Sequence, residues 1–107
     1  MATGSAIVVD RGNKQFQGMF QEMWKVSCTL NAASLADGAG ETDTIAVPGV
    51  ALGDIVLGVS FGVDLAGVTV TGYVSAANVV TLRIQNESTA TVDLASTTVK
   101  VVVGRLV

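Results

Sequence analysis

The chain has no histidine, which removes the side chain most often used for general acid–base catalysis and the commonest metal ligand. Cysteine occurs once, as Cys28, so neither an intrachain disulfide nor a cysteine-built zinc cluster is available. Its neighbours are apolar strand formers, and the expected role is a small buried hydrophobe. Only five residues are aromatic (Phe16, Phe20, Trp24, Phe61 and Tyr73), so Val, Ile, Leu and Ala must supply the core. Charged residues make up 14% of the chain, against ~25% in ordinary soluble domains. Such a thinly charged surface is expected to be partly covered by a partner. The six basic residues are scattered and the net charge is −3, which opposes nucleic-acid binding. No run approaches the ~20 apolar residues of a membrane helix, and no basic-then-apolar leader opens the chain. The expected setting is therefore a cytoplasm, or a larger assembly built there.

What the chain has in quantity is two-residue alternation. From Ile55 to Leu65 every odd position is apolar, while the even positions include Asp54, Gly58, Ser60, Gly62 and Asp64. Successive strand side chains point to opposite faces, so the odd positions are expected to form one dry face. Similar patterns predict strands over 19–30, 41–47, 54–64, 68–76, 79–86 and 97–106, the fourth and fifth forming a hairpin around Ala77-Asn78. Val47-Pro48-Gly49-Val50-Ala51-Leu52-Gly53-Asp54 reads as a compact crossover that plugs one end, and Val92 and Leu94 as residues tucked under the sheet. Six strands at this spacing predict an all-β fold, an antiparallel β-sandwich or small jelly roll, over residues 19–107. Residues 1–18 read as an extended N-terminal arm: either a frayed terminus or a segment that adds to a neighbouring subunit's sheet. Deleting Met1 to Gly18 is then expected to leave a folded core and abolish assembly.

Few residues suggest chemistry. Lys25 is the only basic residue near Cys28, and three positions along a strand put the two side chains on opposite faces. Glu41 and Asp43 share a strand face and could hold calcium with loop carbonyls, although such a pair more often keeps an edge strand soluble. No metal or cofactor is therefore assigned. Asp54 and Asp64 lie at opposite extremes of one strand, too far apart for an acid–base pair. Asn86-Glu87-Ser88 fits the N-glycosylation pattern, a match that three residues often make by chance. Trp24 and Tyr73 could form a sugar platform; the alternative is a core tryptophan and a strand-surface tyrosine. No enzymatic site can be assembled from these residues.

Three segments resemble small virion proteins of tailed bacteriophages, head decoration or cement proteins in particular. They are Ile45-Ala46-Val47-Pro48-Gly49-Val50-Ala51-Leu52-Gly53-Asp54, Val74-Ser75-Ala76-Ala77-Asn78-Val79-Val80-Thr81, and Gln85-Asn86-Glu87-Ser88 with Val92-Asp93-Leu94-Ala95-Ser96. The resemblance implies a β-rich, non-enzymatic protein made in the host cytoplasm that sits on the outer capsid surface. Its partners would be the major capsid protein and further copies of itself, as a homotrimer, with no nucleic acid or membrane. Contacts with neighbouring subunits or the shell are expected at Ile7, Val8, Val9, Phe16, Met19 and Phe20. The alternatives are a tail, fibre or neck component, or a carbohydrate-binding β-sandwich module.

Overall fold

The computed structural model describes residues 3–11, as backbone, and residues 19–107. Seven strands form: β1 (Thr3–Arg11), β2 (Phe20–Leu30), β3 (Gly40–Ala46), β4 (Ile55–Phe61), β5 (Val68–Ala76), β6 (Val79–Asn86) and β7 (Thr97–Leu106). No helix forms among the described residues. Two three-stranded antiparallel sheets, β4-β7-β2 and β3-β6-β5, pack together as a β-sandwich-like fold. The expected fold class is thus the one observed.

β1 joins the two sheets. It runs antiparallel to β2 from Ser5↔Thr29 to Arg11↔Trp24, and meets β3 in parallel at Thr3↔Thr44 and Gly4↔Ile45. The stretch read as an arm therefore contributes a strand to the sheet of its own chain. Its pairing slips between Ala6 and Val8, which breaks the two-residue period that would have marked it as a strand. On the far side the sheets close without a ladder. A Cβ on Gly72 of β5 would lie 3.0 Å from Val56 Cγ1 and 3.1 Å from Val59 Cγ2 of β4, so the glycine lets the two strands approach closely, and a larger residue would require those methyls to give way.

The core is aliphatic, as the composition demands. Trp24, Val26, Cys28 and Leu30 from β2 and Val99, Val101 and Val103 from β7 face Ile45, Val74, Val80 and Leu82 across the sandwich. A smaller cluster, Ala32, Leu35, Val68 and Ile84, fills the end where β2 finishes, and Val92 packs against it. Leu94 is buried, and Leu35 bridges Val92 through paired backbone hydrogen bonds of 2.8 Å.

One expectation changes in β4. The odd positions from Ile55 do not share a face, because pairing with β7 slips between Val56 and Gly58. This β-bulge turns the strand: Val56, Val59 and Phe61 pack on the core, while Ile55 and Leu57 point outward. The strand is also shorter than 54–64, since Gly62 to Gly67 form the turn into β5.

Candidate functional site

β2 and β7 run antiparallel from Phe20↔Leu106 to Leu30↔Thr97, and the described loops fall at the two ends of this pair. Each end carries a polar cluster. At the first, the crossover from β3 to β4 plugs the sandwich with Val47 and Val50, both buried. Gly49 and Gly53 take left-handed φ values of 100° and 97°, which glycine adopts without steric cost. Asn78, itself at φ 66°, pins the plug: it accepts Val47 N–H (2.9 Å), donates to Val50 O (2.8 Å), and its Oδ1 accepts Gly49 N–H (2.9 Å).

Asp54 closes the plug. Its Oδ2 accepts Ala51 N–H at 2.9 Å, and Arg105 grips both oxygens, Nε to Oδ1 and Nη2 to Oδ2, each at 2.9 Å. Nη2 also donates to Gly49 O at 3.0 Å, and the guanidinium carbon lies 5.1 Å from the Trp24 ring centroid. The Asp54 side chain is 4% exposed and that of Arg105 29%. The Arg105 hydrogen bonds, aided by Ala51 N–H, hold the Asp54 carboxyl below the usual carboxylate range, and the same pairing raises Arg105. A carboxylate engaged this fully fastens a loop and has little basicity left for catalysis.

At the second end the organiser is Asn86, wholly buried. Its Nδ2 donates to Leu35 O and Ala90 O at 2.8 Å each, and its Oδ1 accepts Ser88 N–H at 3.0 Å and Ser88 Oγ at 2.7 Å. Its backbone N–H donates to Ala39 O and its carbonyl accepts Gly38 N–H. One amide thus joins the loops 31–39 and 87–96. It also holds a strained turn, since Thr89 is a β-branched residue at φ 73° whose N–H is tied to Asp37 Oδ1 at 3.2 Å. With both Nδ2 hydrogens engaged and no exposure, Asn86 is not presented as a glycan acceptor in the folded chain.

Glu41 and Asp43 do share a face, and it is the inward one. Asp43 is fully buried, and Glu41 Oε1 accepts Ala33 N–H at 2.7 Å. Burial raises the Glu41 carboxyl above its ordinary range against the pull of Ala33 N–H, and the charge of and hydrogen bond to Asp43 raise it further. β3 lies between β1 and β6, so the solubilised edge strand expected here is not what forms, although β1 reaches only Thr44 and Ile45. Among the described residues no three Cys, Asp or Glu side chains gather to hold a metal.

The remaining candidates separate. Cys28 is buried and burial pushes its thiol up, away from reactivity. Lys25 stands on the opposite, exposed face, where it, Ser27 and Lys100 line a shallow depression of about 270 Å³. Trp24 is buried beneath Arg105 whereas Tyr73 is exposed on β5, so the two make no joint sugar platform. Asp54 and Asp64 occupy opposite ends, and Asp64 Oδ1 accepts Ala66 N–H in its own turn. Of the expected contact residues, Ile7, Val8 and Val9 lie in β1, their side chains outside the described residues, and Phe16 lies outside them altogether. Met19 is exposed. Phe20 is only 8% exposed, its ring seated over Gly104, where a Cβ would fall 2.6 Å from Cε1. A contact role for Phe20 would need that ring to leave its seat.

The sequence reading did not single out Leu52, Ile55, Leu57 and Leu106 as surface residues. With Met19 they are exposed at the plug end, at 71, 40, 48, 53 and 62%. Gly58, inside an apolar strand pattern, was the available signal of a bulge. The opposite end presents Asp37, Asp64, Glu87 and Asp93, all exposed, on loops without a lysine or arginine.

The chain matches no protein-family model, and neither a curated protein nor a solved structure is similar enough to it to count as a match.

Proposed function

We propose that the chain is a non-enzymatic structural protein of a virion, which decorates the outer capsid surface as a homotrimer and stabilises the head. The observation that carries this reading is how the polar groups are used. Asp54, Arg105, Asn78 and Asn86 all fasten loops, leaving for partners one apolar end and one acidic end. The three segments resembling decoration proteins lie mainly on this scaffold: the plug, the β5–β6 hairpin and the Asn86 loops. Rigid loops suit a protein that binds many times on one shell, where each contact raises the effective concentration for the next. Such a part needs shape and persistence, and no turnover.

Immunogold imaging and cryo-microscopy of intact phage particles test this. Label at regular positions on the head surface is expected. Label confined to the tail, fibres or neck would replace the reading with a tail component, and absence of the chain from particles would overturn both. Saturable binding on a glycan array would favour the carbohydrate-binding alternative. Removing Met1 to Gly18 is a poor test of assembly, because it takes away β1 and with it the strand joining the two sheets.

A further inference from the structure

We propose that the apolar end, formed by Met19, Leu52, Ile55, Leu57 and Leu106, is where one copy of this chain seats against another. The inference rests on the self-association in the proposed function and names its surface. The five residues converge from separate elements: Ile55 pairs with Gly104, Phe20 with Leu106, and Val107 N–H donates to Met19 O at 3.2 Å. Leu57 Cδ1 lies 3.4 Å from where a Gly104 Cβ would stand, on the same side of β7 as the Phe20 ring, so β4 and β2 both contribute apolar side chains over Gly104.

Three features select a second copy as the occupant. The first is area. At 40–71% exposure the five side chains offer on the order of 500 Å² of apolar surface, in the upper half of the range of roughly 300–600 Å² for a monomer's largest patch. A stable protein interface takes ~800 Å² per partner, so the patch would supply the larger part and its polar surroundings the rest. The second is charge. The five patch side chains carry no charge, and Asp54 and Arg105 beside them neutralise each other. The molecule is 45 Å long, so its acidic loops at the other end stay several Debye lengths (~8 Å each) from their counterparts. The third is rigidity. Leu52 sits in the turn that Asp54 and Arg105 clamp, so docking orders little that is not already ordered. The β4 bulge interrupts the ladder on an outer strand, so the contact is made by side chains and not by strand addition.

The test uses the full chain, with solution mass measured by light scattering from micromolar to submillimolar concentration. Leu52→Asp and Leu57→Asp place a charge in the patch at sites outside the buried core. Both are expected to weaken self-association by about tenfold or more, as hot-spot losses do. Tyr73→Asp, on β5, is expected to leave the mass unchanged. Circular dichroism confirms the fold, and Leu52→Ser replaces any aspartate variant that fails it. A wild-type oligomer that persists in both leucine variants would overturn this surface while leaving self-association standing. A monomeric wild type at every concentration would overturn self-association itself, whatever particle imaging shows.

Discussion

The two ends of the sandwich solve the same problem with different chemistry. Each must hold a long connection over the open end of an aliphatic core. At the plug end an ionised carboxylate gripped by a forked guanidinium does this, within reach of solvent through Arg105. At the other end a neutral amide does it, sealed from water and satisfied on every side. A charge is tolerable where its partner stays hydrated; deep burial favours a group that needs no counterion. The outer surfaces reverse this pattern, since the ionic clamp carries the apolar exterior and the amide hub the acidic one.

The largest expected effect comes from breaking the hub. Asn86→Ala strands Leu35 O and Ser88 N–H and leaves Ala90 O with only the 3.2 Å bond from Ser88 Oγ, at a cost of about 3 kcal/mol. Chemical denaturation should show it as a lower midpoint. Asp54→Ala, with its single loop N–H and a partner that can turn to water, is expected to cost less, about 1–2 kcal/mol. Equal costs would mean that the two ends are not different in kind.

These differences were unevenly legible in the sequence. β5, β6 and β7 follow their predicted limits because each keeps one apolar face along most of its length. The plug was legible because Pro48 and its flanking glycines restrict the backbone locally. β4 misled for a physical reason: alternation reports which residues could share a face, and a bulge decides whether they do. The Asn86 hub left no periodic trace, since its amide bonds a carbonyl 51 residues away. Read locally, Asn86-Glu87-Ser88 is only a glycosylation pattern. β1 was missed because three consecutive apolar residues, Ile7, Val8 and Val9, do not alternate.

Acid should separate two carboxylates by sign. Asp54 is lowered by Arg105, so its contribution is complete above the unfolded value near pH ~4 and is lost as pH falls through its folded value. Glu41 is raised by burial, so its contribution is complete below its unfolded value near pH ~4.3 and is lost as pH rises through the folded one. Thermal melts of single variants read this directly. Asp54→Asn is expected to lower Tm at pH 7, with the gap closing in strong acid. Glu41→Gln keeps an oxygen for Ala33 N–H and removes the unfavourable charge, so its Tm at pH 7 should rise slightly, the gain vanishing below pH ~4. A loss at pH 7 in Glu41→Gln would show that the Glu41 charge is stabilising where it stands.

The smallest expected effect is the most telling about use. Ile55 and Leu57 lie outside the core, so Ile55→Thr and Leu57→Ser should each change folding stability by no more than about 0.5 kcal/mol in denaturant titrations of dilute protein. The outward side of a strand that folding leaves indifferent is ordinarily polar, as Ser60 is on the same strand. A larger loss would mean that the bulge itself depends on these side chains, Leu57 lying with Phe20 over Gly104. With stability unchanged, the fold of the monomer does not require leucine and isoleucine at these positions, which is the outcome expected if the proposed seating of one copy on another is what uses them.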